Sequence, residues 1–458
     1  MIRVRFAPSP TGYIHIGNAR IALFNWFFAV QQKGQFILRY DDTDIKRSKV
    51  EYIKGIAEDL TWLGIKLNEI YCQSKRFDRY DQAVKKLKKA GLLYPCYETP
   101  EELEWQRKRR LSQKLPPVYG RGALRLTMKE KQVLEAQGRK PHWRFLLPNF
   151  TENPFEIQCS EVSWDDLVRG RQTIDLSSLS DPVLIRADDT YLYTLPSVVD
   201  DMDMRVTHII RGDDHVANTG VQIAIFKSLV STLPTFAHIN LLTTISGAGL
   251  SKRKMDLSIR SLRAAGFEQA SIASLAVFIG TSQNVEAHKT VEKLAGHFNL
   301  TSASKTAAKF NVDNLVNLNR HIVHELTFDD VADRLMAMDI AGDKAKPFWF
   351  AIRNNLETVT EAYSWWKIIT DKNMQFPFSS HADRQFLHQA ARLLPPEPWN
   401  QATWQQWIKC LKEKTDRRKE SLFRPLRIAL TGCERGPELA VLLPLLGRDL
   451  VFARLQEV

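Results

Sequence analysis

Apolar residues open the chain in a short block, Ile2 to Ala7, and return after a polar interval as a long run from about Ile16 to Val30. The first block has the length of a buried strand, while the second is too long for one and predicts a helix packed on several sides. Between them Pro8 and Pro10 flank Ser9 and exclude both helix and ladder pairing, so the chain must leave the sheet abruptly. Lys33-Gly34 closes the helix, and Phe36 to Tyr40 gives a second strand. Ile53, Ile56, Leu60 and Leu63 recur at helical spacing up to Gly64, and another helix is predicted from about Phe77 to Ala90. This is the rhythm of an open parallel α/β sheet.

The pattern changes between residues 95 and 185. Glu101 to Gln113 is a charged helix carrying Arg107-Lys108-Arg109-Arg110. Pro116-Pro117, scattered arginines at 121, 125 and 144, and short alternating strands such as Trp143 to Leu147 follow it. These features predict an inserted α+β domain. The parallel sheet is then expected to resume with Val183 to Arg186, Tyr191 to Val199 and Val206 to Arg211. A helix from about Asn218 to Leu229 repeats the strand-to-helix step. The glycine-rich stretch Ser246 to Lys254 precedes short helices at Ser258 to Gly266 and Ile272 to Ile279. From about 311 the chain reads as helical, with segments Leu326–Met338, Phe348–Ile369, Asp383–Leu394, Thr403–Lys414 and Arg427–Thr431. Prolines 395, 396 and 398 mark a boundary between two helical subdomains.

Composition adds limits. A chain of 458 residues has room for roughly two to four domains with real cores. No stretch approaches about 18 apolar residues without charge, so no membrane span is expected. Met1 leads straight into a strand, so no signal peptide is expected either. Cysteines 72, 96, 159, 410 and 433 lie far apart with no C-x-x-C, which fits a reducing cytoplasm and argues against a structural zinc. The net charge of +12 points to a polyanionic partner. Arg107 to Arg110, Arg121 and Arg125, interleaved with Trp105, Tyr119 and Trp143, suit RNA contacts, as do Lys412 to Lys419 and Arg424 to Arg427.

The chemistry gathers at strand ends. The helix beginning near His15 turns its free N–H groups and positive dipole end towards the proline loop, an anion site that Gly12 and Gly17 let backbone approach closely. No G-x-x-x-x-G-K-[ST] occurs, and no G-x-G-x-x-G follows the first strand, which excludes a P-loop enzyme and disfavours a dinucleotide oxidoreductase. A triphosphate then has two candidate holds: His15 with the helix start, and Ser251-Lys252-Arg253-Lys254. Activating a carboxylate by adenylation expels pyrophosphate through a phosphorus centre of growing negative charge, which calls for cations and N–H donors more than for a base. Glycines 247 and 249 would let the cationic segment close over phosphates. Alone, the same run also reads as a solvated basic turn. Arg5, Asp41 and Arg211 each fall near the C-terminal end of a predicted central strand. An arginine there needs an anion, either a substrate carboxylate or an internal partner among Asp41 to Asp44, Asp213 and Asp214. Tyr193 is expected on a neighbouring strand as a hydroxyl donor.

These residues converge on one family. Ala7-Pro-Ser-Pro-Thr-Gly-Tyr-Ile-His-Ile-Gly-Asn18 resembles the first signature of class I aminoacyl-tRNA synthetases, and Leu250-Ser-Lys-Arg253 resembles the second. Asp42-Thr-Asp44, Val198-Val-Asp-Asp201, Ile210-Arg-Gly-Asp-Asp-His215 and Pro425 to Gly432 narrow the resemblance to bacterial glutamyl-tRNA synthetases over essentially the whole chain. The resemblance implies a class I Rossmann-type parallel sheet, interrupted by an α+β acceptor-binding insertion and followed by an all-α anticodon-binding region. On this pattern residues 1–80 and 191–238 are the two catalytic halves and 81–190 the acceptor-stem insertion. Residues 239–310 are the stem-contact domain, and 311–394 and 395–458 two helical subdomains. By position Arg5, Ala7, Ser9, Asp41, Tyr193 and Arg211 would hold L-glutamate. His15, Gly17, Asn18, Asp214, His215, Lys252 and Arg253 would contact ATP, with His15 and Lys252 catalytic. Magnesium-ATP, a glutamyl-adenylate, tRNA(Glu), activation that waits for tRNA and a monomeric state are implied with it.

Four positions depart from that pattern. Asp41 stands where many members carry glutamate, and Gly249 replaces the first lysine of the second signature. Ser197 stands where some members place an asparagine in the amino-acid pocket. Asn355 falls where members restricted to tRNA(Glu) carry an arginine, which leaves charging of tRNA(Gln) open. Some members bind zinc in the insertion, but here Cys96 is followed by Glu98 and a cysteine-free Tyr119 to Ala123, so no zinc is expected. Glutaminyl-tRNA synthetase is the nearest enzymatic alternative, with a β-barrel in place of the helical end. A catalytically silent RNA-binding relative is the non-enzymatic one.

Overall fold

A computed structural model describes residues 1–229, 232–244, 246, 257–372, 374 and 380–456. The chain divides into two compact units, one of residues 1–263 and 272–311, the other of 264–271 and 312–458.

In the first unit, β1 (Arg3–Phe6) leads through the proline loop into α1 (Ile16–Gln31), then β2 (Gln35–Tyr40), α2 (Val50–Trp62), β3 (Glu69–Cys72) and α3 (Phe77–Lys89). The insertion contributes β4 (Leu93–Cys96), α4 (Pro100–Ser112), α5 (Met128–Ala136), β5 (His142–Phe145), the hairpin β6 (Glu161–Asp166) and β7 (Gly170–Asp175), and β8 (Val183–Ile185). Then come α6 (Thr194–Asp203), β9 (His208–Gly212), α7 (Val216–Leu229), β10 (Thr235–Ile239), β11 (Leu242–Thr243), α8 (Ile259–Ala264), α9 (Gln269–Phe278), α10 (Val291–His297) and β12 (Ala308–Lys309).

The central sheet has seven strands in the order β3-β2-β1-β9-β10-β6-β7, parallel except for the β6–β7 hairpin. Strand order reverses beside β1, which lies between β2 and β9, and such a switch point opens a crevice at the strands' C-terminal ends. On one face α1 buries Phe24 and Phe27 against Phe298, with ring centroids 5.0 and 5.6 Å apart. On the other, α3, α6 and α7 share one core with Phe145, Leu147 and Trp164 of the insertion.

Three expectations need correction. Val183–Ile185 is not a strand of the parallel sheet but pairs antiparallel with β5 in a separate sheet, β4-β5-β8. Tyr191 to Val199, read as a strand, is mostly helix α6, with Tyr193 at its N-cap. The insertion also shares the main sheet, because β6 pairs with β10.

The second unit is helical: α11 (Val312–Glu325), α12 (Phe328–Met336), α13 (Ala345–Ile352), α14 (Ala362–Thr370), α15 (His381–Arg392), α16 (Gln401–Lys414), α17 (Glu420–Thr431), α18 (Leu439–Leu446) and α19 (Arg448–Gln456). The single helix expected over 348–369 is broken between Arg353 and Glu361 by two short 3₁₀ turns. Prolines 395, 396 and 398 separate α15 from α16, yet helices from both sides pack together: α15 on α19, and α13 and α14 on α18.

Candidate active site

A cleft of about 700 Å³ opens at the C-terminal ends of β1, β2 and β9. Arg5, Ala7, Ser9, Asp41, Tyr193 and Arg211 line it, as do His15, Gly17, Asn18, Asp214 and His215. Lys252 and Arg253 lie outside the described residues, as does Gly249. Thr11, Tyr13 and Leu241, which the sequence did not single out, also face the cleft.

Backbone hydrogen bonds hold the proline loop. The N–H of Asp41 donates to Pro8 O at 3.0 Å and that of Lys49 to Pro10 O at 3.2 Å, tying it to β2 and the start of α2. The start of α1 is less open than the sequence suggested. His15 is its N-cap, with Nδ1 accepting from the Gly17 N–H at 3.1 Å, and the Ile16 N–H donates to Leu257 O at 3.0 Å. Burial pushes His15 below the usual imidazole value, so at neutral pH the cap is uncharged and adds nothing to the helix dipole. The Ile259 N–H donates to Ile14 O at 3.0 Å, so the chain leaving the second signature runs alongside His15. At the end of β9 a Cβ on Gly212 would sit 2.5 Å from Asp214 Oδ1 and 2.9 Å from Leu241, so only glycine lets Asp214 stand this close.

Charges on the β1–β2 side are mutually compensated. Arg5 Nε meets Asp201 Oδ1 at 3.0 Å, and Arg39 Nη1 meets the same oxygen at 2.8 Å. Arg39 also binds both oxygens of Asp41, at 2.7 and 3.2 Å. Asp200 accepts from Arg76 (2.6 Å), Tyr80 (2.9 Å) and Gln73 (3.0 Å). The sequence offered Asp41 to Asp44, Asp213 and Asp214 as internal partners, but Asp201 on α6 neutralises Arg5. Its signal was Val198-Val199-Asp200-Asp201, two acids directly after apolar residues. Burial drives the Asp41 carboxyl up to about 6, although Arg39 opposes the shift. Ser197 is fully buried and accepts from Gln222 Nε2 at 2.8 Å, away from the cleft lining.

Arg211 is different. It is 5% exposed, yet no carboxylate among the described residues pairs with it. Its contacts are neutral: Nε to His238 Nε2 at 3.2 Å, Nη1 to Tyr193 Oη at 3.3 Å and Nη2 to Thr219 Oγ1 at 2.7 Å. Burial lowers its pKa, but a guanidinium stays charged at any physiological pH. A buried cation that faces a cleft without a directly paired carboxylate is suited to receive an anion.

The insertion divides the residues read as RNA contacts. Arg121 is 1% exposed and bonds Asp181 at 2.8 and 2.9 Å, so it is a structural pair rather than an RNA contact. Tyr119 is buried as well. Helix α4 buries no residue and carries Arg107 to Arg110 with Trp105 in the open. The cysteine count also missed His142: its ring lies with Cys96 and Glu98 so that their ligand atoms fall within 4.8 Å of one another. Among the described residues these are three donors, one short of a closed structural zinc site, and the Tyr119 hydroxyl already donates to Glu98 Oε1 at 2.5 Å and sits 3.7 Å from Cys96 Sγ. The set does not fit a structural zinc.

Residues 1–317 match the family model for the catalytic domain of class I tRNA synthetases (E and Q), and residues 332–458 match an anticodon binding domain model. "Glutamate--tRNA ligase 2" of Bartonella bacilliformis is 60% identical over 455 residues, covering 99% of this chain and 100% of that protein. "Glutamate--tRNA ligase 1" of Brucella canis is 58% identical over 453 residues, covering 99% of each. A crystal structure of a glutamate tRNA ligase from Elizabethkingia meningosepticum in complex with its amino acid has the same fold, with a TM-score of 0.84 at 22% identity over 99% of this chain and 98% of that one. The β-barrel expected of a glutaminyl enzyme is also missing, since the described residues from 312 onwards form helices and no strand. The chain therefore belongs to the glutamate–tRNA ligase family of class I tRNA synthetases.

Proposed function

We propose that this protein joins L-glutamate to the 3′ end of tRNA(Glu) in two steps within the β1–β9 cleft. In the first, a glutamate carboxylate oxygen attacks the α-phosphorus of ATP, the bond to the bridging oxygen breaks and pyrophosphate leaves. In the second, a terminal hydroxyl of tRNA attacks the glutamyl carbonyl and AMP leaves. The observation that carries this reading is Arg211, a buried cation on a cleft wall with no carboxylate partner among the described residues. It receives a glutamate carboxylate, with Arg5, Tyr193 and the small residues Ala7 and Ser9 shaping the rest of the pocket and Asp41 facing the ammonium group.

ATP lies on the other side, along His15, Gly17, Asn18, Asp214 and His215. Among these Asp214 offers the one carboxylate and Asn18 an amide oxygen, too few for a protein cage, so magnesium is carried by the phosphates. The neutral His15 fixes the turn by accepting from the Gly17 N–H, and with the Ile16 N–H held by Leu257 O the phosphates meet only what remains of the helix start. Lys252 supplies the charge that the leaving pyrophosphate needs. Lys252→Ala lowers turnover by about two orders of magnitude, and near-normal aminoacylation by that variant would remove Lys252 from this role.

The deciding experiment charges purified tRNA(Glu) and tRNA(Gln) with labelled glutamate and glutamine in all four combinations. Glutamate on tRNA(Glu) is the expected product, and no tRNA-dependent charging at all would restore the silent RNA-binding alternative. Glutamate on tRNA(Gln) is the outcome that Asn355, an exposed residue at the end of the 3₁₀ turn after α13, leaves open. Metal analysis of the purified protein is expected to find no stoichiometric zinc.

A further inference from the structure

We propose that Asp166 and His238 are positioning residues for Arg211, fixing the tautomer of one buried imidazole so that its lone pair holds the guanidinium in place. This rests on the reading of Arg211 as the glutamate carboxylate receptor. The placement follows from strand register. In the β9–β10 ladder Arg211 is the direct partner of His238, and β10 is followed in the sheet by β6, which ends at Asp166. The side chains of His238 and Asp166 are both fully buried, so neither faces water.

Asp166 is saturated with donors. Its Oδ1 accepts from the N–H groups of His238 (3.1 Å), Val168 (3.1 Å) and Arg169 (3.0 Å), and its Oδ2 from His238 Nδ1 (2.5 Å) and Trp164 Nε1 (3.4 Å). Burial alone would raise its pKa, but these bonds outweigh burial and hold it at about 2, so it is a carboxylate and Nδ1 carries the proton. The other ring nitrogen faces Arg211 Nε at 3.2 Å. A guanidinium Nε always bears hydrogen, so His238 Nε2 must accept. Both ends of the ring demand the neutral Nδ1–H form. A positive imidazolium would set an N–H against the guanidinium.

Thr219 completes the cradle from α7. Its hydroxyl accepts from Arg211 Nη2 at 2.7 Å and has two acceptors in reach for its one proton, His238 Nε2 at 3.0 Å and His215 O at 3.1 Å. Nε and Nη2 are thus fixed by neutral acceptors behind the guanidinium, and Nη1, which donates one hydrogen to Tyr193, keeps the other for the substrate. Neutral acceptors are what this task requires, because a carboxylate in either place would discharge the receptor.

The test compares His238→Leu, which removes the acceptor, with His238→Gln, whose amide oxygen can replace Nε2. Kinetics are read by pyrophosphate exchange in the presence of tRNA. Losing a hydrogen bond to a charged group predicts a rise in KM for glutamate of about 10- to 100-fold in the leucine variant. KM for ATP should stay within about twofold, and the glutamine variant should recover most of the loss. An unchanged glutamate KM, equal effects on both substrates or no rescue by glutamine would overturn the proposal. Nitrogen NMR of histidine-labelled wild-type protein at neutral pH reads the tautomer whether or not the leucine variant folds. Protonation at Nδ1 alone is expected, and an Nε2–H signal for His238 refutes the assignment. Arg211→Ala separates the two levels of the argument. If that variant keeps the wild-type KM for glutamate, the reading of the cleft fails. If it raises KM while His238→Leu does not, only the positioning role fails.

Discussion

Arg5 and Arg211 come from neighbouring strands, end at the same cleft and are both nearly buried, yet they live in opposite electrostatic settings. Around Arg5, Arg39 and Arg76 stand the buried carboxylates of Asp41, Asp200 and Asp201, with Asp203 as an outer partner of Arg76, in contact through bonds of 2.6 to 3.2 Å. Around Arg211 stand a neutral imidazole, a phenol, a hydroxyl and a carbonyl. The first group is closed on itself and ties β1, β2 and α6 together. The second is incomplete until an anion arrives. On the proposed function the binding site lies where a paired carboxylate is missing, not where basic residues are most numerous.

The strongest way to break this contrast is to remove compensation where it exists. Asp201→Asn leaves Arg5 without its ion pair and Arg39 with fewer partners, both in low-dielectric surroundings. Deleting one member of such a pair costs about 3–5 kcal/mol, measurable as a lower midpoint in urea or heat. A loss below about 1 kcal/mol would mean that Asp41 and Asp200 repair the network and that it is not closed in the sense argued.

Next in size is Arg211→Ala, which should do the reverse. No ion pair is broken, so stability moves less than in Asp201→Asn, while kcat/KM for glutamate falls by about 30- to 3,000-fold, the range for truncating one partner of a buried charge pair. Pyrophosphate exchange beside thermal melts reads both quantities. Equal loss of stability in the two variants would erase the distinction between a structural and a receptor arginine.

The sequence made much of this visible, unevenly. The long apolar run after the proline loop is helix α1, expected over Ile16–Val30 and found over Ile16–Gln31, because sixteen consecutive helical residues leave no room for another reading. The eleven described candidates meet at one cleft because each was tied to a strand end or loop, positions that topology brings together. The segment after Tyr191 misled because a short apolar run has no period to separate strand from helix, and its two buried acids are satisfied by partners more than a hundred residues away. Arg121 misled for the same reason: Asp181, 60 positions on, turns an apparent RNA contact into a buried strut. His238 had no local signal, since its meaning lies in two strand registers that single-sequence periodicity does not specify.

The finest difference between the two sides is their response to acid. Arg211 stays charged throughout, but on the compensated side burial has raised Asp41 to about 6. If the ionised Asp41 receives the substrate ammonium, the direction follows from linkage. Above about 6 the carboxylate is present and binding is full; as pH falls through that value the free enzyme gains a proton that glutamate must displace. Because kcat/KM reports ionisations of the free enzyme, its value for glutamate should fall about tenfold per pH unit below about pH 6, while that for ATP changes little. Asp41→Asn should be slower throughout and lack this limb. A wild-type limb that survives in Asp41→Asn would assign it to another group, and the compensated side would then hold the sheet together without touching the substrate's charge.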